Sequence, residues 1–196
     1  MTLLRTTLIV TATAALGLAA CSPAKTAKDT GESTAAQPAE PAKNPINSAM
    51  SAAPQTVGAN ATIVTAAADG TMTTLRKGTN GFTCMPDNPV TPGADPMCMD
   101  ANALQWGMAW MTHAPPPQDM PGIMYMLSGG TDASNTDPFA RKPTSGADWI
   151  QTGPHVMLVG SAKALKGYPS GPDPDPSAPY VMWAGTPYAH LMIPVG

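Results

Sequence analysis

The stretch GFTCMPDNPVTPGADPMCMD, residues 81–100, determines how the two halves of the fold are joined. Its cysteines, Cys84 and Cys98, lie at the end of the strand-like run FTCM and just before a helical pattern. A disulfide between them closes a ring of about 15 residues, which contributes about 3 kcal/mol in the chain-entropy model. The spacing therefore predicts a disulfide. The alternative is a Cu(I) site made of soft ligands, namely Cys84, Met85, Met97, Cys98 and Met99.

The sequence that follows, DANALQWGMAWMTHAPPP, predicts the main helix, over about residues 101–112. Asp100 suits the N-cap position, and the proline run at the end cannot continue a helix. The apolar residues in between recur at helical spacing and spread around much of the circumference. We therefore expect this helix to pack on a sheet and to be largely buried.

Short apolar runs and turn signals predict strands on both sides of this helix. Before it, Asp-Gly and Asn-Gly turns separate three runs, which favours an antiparallel meander of strands at 61–66, 71–76 and 82–85. After it, we expect a short helix at about 162–166 and strands at about 122–127, 155–159, 180–184 and 188–193. The fold class is therefore α+β, with an antiparallel or mixed sheet.

The N-terminal segment MTLLRTTLIVTATAALGLAAC has the features of a bacterial signal peptide over residues 1–20. Its apolar run of about 13 residues is short for a membrane-spanning helix, which needs about 20. Residues 18–21, Leu-Ala-Ala-Cys, resemble the lipobox of bacterial lipoproteins. The resemblance implies cleavage before Cys21 and lipidation of its thiol with acyl chains such as palmitate. Because Ser22 follows and no Asp stands there, we expect an anchor in the outer membrane, facing the periplasm.

The composition changes twice along the mature chain. Residues 22–45 contain no aromatic or large aliphatic side chain, so residues 21–45 are expected to form a disordered tether. Residues 46–196 have the length of one globular domain. This domain has six Lys and Arg against ten Asp, a net charge of −4. An acidic domain without a basic cluster argues against nucleic acid as a partner.

Two His-x-Met strings are candidate metal ligands. His155 and Met157 form one pair, and His190 and Met192 form the other. Residues i and i+2 of a strand share a face, so each pair presents an imidazole and a thioether together. If the two strands are neighbours, the four side chains form a copper site. The alternative is that these methionines are adaptable core residues and the histidines are structural.

Aromatic residues near the C-terminus predict a different kind of site. The two long loops at 128–148 and 167–179, with Tyr180, Trp183 and Tyr188, are a candidate binding surface for an apolar or carbohydrate-like ligand. The same aromatic residues equally suit the edge of a core.

Other chemistry has weaker support. Asp132, Asn135 and Asp137 offer oxygen donors for Ca²⁺, but their spacing differs from an EF-hand and such clusters usually form turns. No Gly-x-Ser-x-Gly, His-Glu-x-x-His, Walker A or dinucleotide-binding motif is present. A hydrolase would therefore need residues assembled only in space.

Several strings along the domain resemble an uncharacterised family of secreted bacterial proteins. The resemblance implies one secreted domain and gives no activity, cofactor or mechanism. The strings that carry it are SAMSAAP (48–54), NATIV (60–64), GTNGFTCMPDNP (78–89), DPMCMD (95–100), SNTDPFA (134–140), GPHVMLV (153–159) and PYVMWAGTPYAHLMIPV (179–195).

Together these patterns predict a membrane-tethered periplasmic domain that binds an unknown small-molecule or protein ligand, or is structural. A periplasmic copper-binding protein that uses His and Met ligands is the first alternative. A hydrolase without a recognisable local motif is the second. The sequence alone does not identify a cofactor.

Overall fold

The computed structural model describes residues 44–196, which form two short helices, four strands, a longer helix and then six more strands. The signal peptide, Cys21 and all but the end of the tether lie outside the described residues. The strands are β1 (Thr62–Ala66), β2 (Met72–Arg76), β3 (Thr83–Met85), β4 (Met97–Met99), β5 (Asp119–Met126), β6 (Gly130–Asp132), β7 (Ile150–Thr152), β8 (His155–Ser161), β9 (Tyr180–Met182) and β10 (His190–Pro194). The helices are α1 (Pro45–Ser51), α2 (Gln55–Gly58) and α3 (Ala101–Met111), with a 3-10 helix at Ala162–Leu165.

Eight of the strands form one mixed sheet, in the order β2-β1-β3-β4-β5-β8-β10-β9. The prediction of an α+β fold is therefore confirmed. Strands β6 and β7 form a separate two-stranded sheet. Among residues 44–196, no helix has both the length and the apolar character needed to cross a membrane.

The predicted antiparallel meander is wrong at its third strand. Strand β3 pairs with β1, not with β2, and the pairing is parallel. The segment after β2 crosses the start of β1, where the Thr79 amide donates to the Asn60 carbonyl (2.8 Å). A Cβ atom at Gly78 would lie 2.2 Å from the backbone of Ala61, so only glycine permits this crossing. The chain therefore enters the sheet on the far side of β1.

Helix α3 covers one face of the sheet, and Asp100 fixes its start. One carboxylate oxygen of Asp100 accepts from the amide of Ala103 (2.8 Å), which caps the helix. The other accepts from the amide of Ile123 in β5 (2.9 Å). At Gly122 a Cβ atom would lie 2.3 Å from the Ala103 nitrogen, so the missing side chain lets α3 approach β5 closely.

The opposite face of the sheet is covered at one end by α1 and α2. The side chains between these helices and the sheet form a core separate from the one under α3. It contains the two cysteines, which lie directly opposite each other on β3 and β4. Their Cα atoms are 3.9 Å apart and their sulfur atoms are joined in a disulfide. The predicted cysteine pairing is thus present, and it ties β3 to the strand that leads into α3.

We expect loss of this disulfide to destabilise the protein. The double substitution Cys84→Ala/Cys98→Ala should lower the free energy of unfolding by about 3 kcal/mol, because the unfolded chain is no longer cross-linked. Urea denaturation with and without a reducing agent measures the change. Reduction should affect the wild type by a similar amount and leave the double variant unchanged. Equal unfolding midpoints for the wild type and the double variant would contradict the prediction.

Candidate functional site

Methionine side chains line the face of the sheet that lies beneath α3. Four of them are direct neighbours on successive strands, because Met99 pairs with Met124, Met124 with Met157, and Met157 with Met192. All four are buried. The same face also carries Met85, Met97, Met126 and Met182. Adjacent methionine side chains thus line the core on this side of the sheet from β3 to β9.

Both candidate histidines belong to this face. Strands β8 and β10 are antiparallel neighbours, and Met157 lies directly opposite Met192. His155 and His190 each lie two residues from these methionines and therefore point to the same side of the sheet. Each histidine is only 1% exposed. The structure thus brings all four predicted ligands onto one buried face.

The four residues form a row, and the predicted convergence on a single point is not seen. His155 on β8 lies opposite Pro194 on β10, and Pro194 is four residues further along β10 than His190. That offset corresponds to about 13 Å along the strand. Each histidine thus flanks the central pair of Met157 and Met192 from its own end.

The hydrogen bonds of the two imidazoles define their tautomers. Nδ1 of His155 lies 2.8 Å from the carbonyl oxygen of Gly153, and Nδ1 of His190 lies 2.9 Å from that of Tyr188. A carbonyl oxygen only accepts, so each Nδ1 carries the hydrogen and donates it. Each Nε2 is then a bare acceptor. Both Nε2 atoms are buried and have no hydrogen-bond partner.

Burial keeps both rings neutral near pH 7. Desolvation lowers the pKa of His155, although the bond to the Gly153 carbonyl opposes it. The pKa of His190 is lowered to about 4, mainly by burial and to a lesser extent by the charge of His155. Neutral imidazole is the form that ligates metal ions, so both Nε2 lone pairs are available.

An aromatic group encloses His190. The indoles of Trp106 and Trp183 meet its ring edge-on, with ring centroids 5.2 and 4.9 Å away. Trp183 has a φ of 55°, in the left-handed region, which costs about 1–3 kcal/mol for a bulky residue. The indole N–H of Trp106 is also buried without a partner. The surroundings of His190 therefore hold both an unused donor and an unused acceptor.

Two carboxylates lie on the side of His155. Burial raises the pKa of Asp95 to about 6, although Thr91 and the amide of Thr131 donate to its carboxylate and oppose the shift. Burial, with the nearby charge of Asp95, raises the pKa of Asp132 to about 7. The two residues lie close enough for each proton to affect the other, so this side of the core titrates near neutral pH.

The predicted aromatic binding surface is wrong. Tyr180, Trp183 and Tyr188 are 1%, 7% and 6% exposed and belong to the core under α3. Their polar atoms are also used internally: the Trp183 indole donates to the carbonyl of Ser134 (3.0 Å) and the Tyr188 hydroxyl to that of Ala114 (2.9 Å). The three aromatic residues therefore belong to the core, which was the alternative interpretation of the sequence.

The two long loops cover the β9 edge of the sheet. The amide of Val181 in β9 donates to the carbonyl of Pro169 (2.7 Å), and the Asn135 side-chain amide donates to the carbonyls of Gly171 (2.6 Å) and Val181 (3.2 Å). Asp137 accepts from the amide of Phe139, which forms a tight turn. The Asn135 side-chain N–H and one Asp137 oxygen thus hold the loop structure, whereas Oδ1 of Asn135 is buried without a hydrogen-bond partner.

The described residues 44–196 hold no group of three or more His, Cys, Asp and Glu placed to share a metal ion. Thioether sulfur is the other soft donor on the face that carries the two imidazoles. Sequence reasoning missed how far the thioethers extend across the sheet. The signal was present in the Met-x-Met strings 97–99 and 124–126, whose period of two places both sulfurs on one face.

A shallow, open concavity lies elsewhere, around α1 and α2. It is wide open, and no titratable side chain lines it. The residues around it are Asn47, Met50, Ser51, Ala53, Gln55 and Ala59. It therefore offers little chemistry for recognising a polar ligand, and the histidine and methionine face remains the stronger candidate.

Comparison with known proteins does not assign a function to the chain. A scan against protein-family models finds no match. A search of curated proteins finds no similar protein, and a search of solved structures finds no similar structure. The resemblance to an uncharacterised secreted family thus stays a prediction, and the function is inferred from the geometry of the site.

The lowered pKa of His190 predicts a loss of stability in acid. Between pH 6.5 and about 4 the unfolded state binds a proton on this residue that the folded state does not bind. Acidification through this window should therefore favour unfolding by about 1.4 kcal/mol per pH unit for this residue. Urea denaturation of the wild type and His190→Gln at several pH values measures the contribution as the difference between the two proteins.

Asp132→Asn provides the complementary test, because Asp132 should make the protein more stable, and not less, as the pH falls. The folded-state pKa of Asp132 is raised above its unfolded value of 3.8 to about 7, so the folded state binds the extra proton. The contribution of Asp132 to stability should therefore grow as the pH falls below about 7 and be complete below 3.8. A difference between wild type and either variant that does not change with pH would contradict the assigned burial of that residue.

Proposed function

We propose that this protein is a lipid-anchored cell-envelope protein whose domain binds Cu(I) through histidine and methionine side chains in the core of the sheet. The candidate donors are the imidazoles of His155 and His190 and the thioethers of Met157 and Met192, which lie in one row on the buried face and do not converge on a single point. The observation that supports the proposal is the pair of buried Nε2 atoms without hydrogen-bond partners, on the face of the sheet that also carries the methionines. This narrows the broader expectation of a periplasmic binding or structural domain with an unknown ligand.

The donor set favours Cu(I) over other metal ions. Thioether sulfur is a soft, neutral ligand that selects Cu(I), whereas Zn²⁺ prefers thiolate, imidazole and carboxylate. The two cysteines are bonded to each other, so they offer no thiolate to Zn²⁺. A single positive charge also costs less to bury than a double one. Neutral ligands in an apolar core therefore suit a monovalent soft ion.

The imidazoles are already arranged as metal ligands. Histidine ligands usually donate their second ring N–H to a carbonyl or carboxylate, which fixes the ring and increases the basicity of the ligating nitrogen. His155 and His190 both make this bond, to Gly153 and Tyr188. Binding therefore needs no change of tautomer.

Packing alone accounts for the methionines but not for the histidines. Methionine fills irregular core space well, so thioethers under a helix need no metal ion. A buried acceptor without a donor, however, costs about 1–3 kcal/mol. The core contains two such imidazole nitrogens. An ion that bonds to them offsets this cost.

The location in the envelope is supported by two independent features. The N-terminal segment resembles a lipoprotein signal ending at Cys21. The disulfide between Cys84 and Cys98 is typical of proteins in oxidising compartments. Both features fit an outer-membrane anchor with the domain in the periplasm.

We expect Cu(I) to stabilise the protein against unfolding. At a free Cu(I) concentration 100-fold above the dissociation constant, the gain is about 2.7 kcal/mol per ion. Anaerobic thermal unfolding of the full chain in detergent, with Cu(I) buffered by a chelator, measures it as a rise in Tm. The double variant His155→Gln/His190→Gln should lose the rise. Zn²⁺ at the same free concentration should give a much smaller one.

Met120→Leu is the control variant, because Met120 lies on β5 outside the core and is 38% exposed. It should keep the full response to Cu(I). X-ray absorption of the loaded protein should show both sulfur and nitrogen neighbours of copper. A Tm that does not respond to Cu(I), or an unchanged response in the double histidine variant, would rule out copper binding at these residues.

Lipid anchoring has its own test. Replacing residues 1–21 with a cleaved signal peptide that has no lipobox should move the protein from the membrane fraction to the soluble periplasmic fraction, because the lipid is the proposed membrane contact. Immunoblots of the two fractions measure the distribution, and mass spectrometry of the wild type should show acyl chains on Cys21. Wild-type protein that remains soluble and carries no lipid would contradict the anchor.

A further inference from the structure

We propose that a second copy of this chain pairs with strand β2, so that two domains join edge to edge in one continuous sheet. The inference concerns an interaction surface and is independent of the proposed copper site. It assigns a role to residues 69–77, which none of the features described above involves.

The two edge strands of the large sheet differ in how the rest of the chain covers them. At the β9 edge, the amide of Val181 donates to the carbonyl of Pro169 (2.7 Å), and the carbonyl of Val181 accepts from the Asn135 side chain (3.2 Å). Strand β2 forms the other edge, and within residues 44–196 its only neighbouring strand is β1. Residues 72–75 of β2 are all exposed. One edge of the sheet is therefore covered and the other is open.

The hairpin determines which backbone groups of β2 face the open edge. The amide of Ala67 donates to the carbonyl of Thr71 (2.9 Å), so these two residues form a hydrogen-bonded pair. Such pairs alternate along an antiparallel ladder, so Thr73 bonds to β1 while the N–H and C=O groups of Met72 and Thr74 point away from it. In the described part of the chain, no hydrogen bond occupies these outward groups. They form a template for another strand.

The side chains of β2 do not protect this edge. Natural sheets discourage edge pairing with lysine, proline or an inward-pointing charge. Residues 72–75 are Met-Thr-Thr-Leu, and the side chains of Met72 and Leu75 are 38% and 39% exposed. The guanidinium of Arg76 donates to the carbonyls of Gly58 (2.7 Å) and Ala61 (2.9 Å), so its charge is held away from the open edge. The edge therefore presents only apolar and hydroxyl side chains.

The charges at the two ends of β2 favour a second copy over an unrelated strand. Asp69 lies in the turn before β2 and Lys77 directly after it, and both are exposed. Two identical edges that hydrogen-bond about a two-fold axis run antiparallel. Asp69 of each copy then lies toward the Lys77 end of the other. Opposite charges thus approach each other at both ends, and no like charges face each other between them.

The interface is small, which predicts a weak dimer. A stable interface buries about 1,200–2,000 Å². The register shift next to Arg76 confines the regular part of the edge to residues 72–74, so the paired strands bury less than that. The proposed anchor at Cys21 compensates, because copies on one membrane have a high effective concentration. Residues 21–43 span up to about 80 Å when extended, which is long enough for two anchored copies to meet.

The test is sedimentation equilibrium of the metal-free full chain in detergent at increasing protein concentration. The wild type should change from monomer to dimer with a dissociation constant above about 1 μM, because interfaces of about 1,600 Å² start at about that affinity. Thr74→Pro removes the outward N–H of each copy and keeps the bonds to β1. Loss of one donor in each copy should raise the dissociation constant at least about tenfold.

Charge provides a second test that does not depend on proline. Thr74→Lys and Thr74→Glu each place like charges close together across the two-fold axis, so each variant alone should stay monomeric. An equimolar mixture of the two should form the dimer again, because opposite charges then meet. Gln151→Lys is the matched control, since it adds the same charge at an exposed residue of β7 and should dimerise as the wild type does. Circular dichroism verifies that each variant is folded.

The outcomes support or overturn the inference. A wild type that stays monomeric at every concentration overturns it, and the open edge is then left for a strand of another protein. A dimer that persists unchanged in Thr74→Pro and Thr74→Lys overturns the assignment to β2, because these variants keep the same lipid and every other surface. Neither result bears on copper binding, since the protein is metal-free, and the response of Tm to Cu(I) tests that site separately.

Discussion

The carboxylate of Asp100 is the contact on which the organisation of the core depends. One oxygen caps the start of α3 and the other accepts from the amide of Ile123 in β5, so a single side chain fixes the helix to the centre of the sheet. The bare backbone at Gly122 allows the close approach that this requires. With α3 in place, Trp106 covers the methionine face and encloses His190. The geometry of the candidate metal ligands thus follows from the capping of one helix.

Local patterns in the sequence predicted α3 and most strands of the large sheet, because turns, caps and prolines act over a few residues. They did not predict α1, α2, β4, β6 or β7. The α3 helix, the disulfide and the positions of β8 and β10 all follow from such signals. The parallel pairing of β1 with β3 does not, because it depends on a backbone crossing at Gly78 that has no periodic signature. For the site, the His-x-Met spacing placed the ligands on one face. The offset of the two strands, which separates the imidazoles, is set by tertiary pairing.

The aromatic residues show why composition alone misleads. Tyr180, Trp183 and Tyr188 lie near proline-rich loops, a combination typical of ligand-binding surfaces. Here the loops cover the edge strand β9, which removes an exposed row of backbone donors and acceptors. The rings then become part of the core, and one of them encloses a histidine. Exposure is a property of the whole chain path, so it cannot be inferred from three neighbouring residues.

The alternation of side chains in β3 and β4 has a chemical consequence. Cys84 and Cys98 face the core under α1 and α2, while the flanking Met85, Met97 and Met99 face α3. The sheet therefore separates the disulfide sulfurs on one face from the thioether sulfurs on the other. A soft ion held by the thioethers would reach the disulfide only across the sheet backbone. Neighbours in sequence thus belong to separate cores, which keeps the disulfide out of direct contact with the methionine side chains under α3.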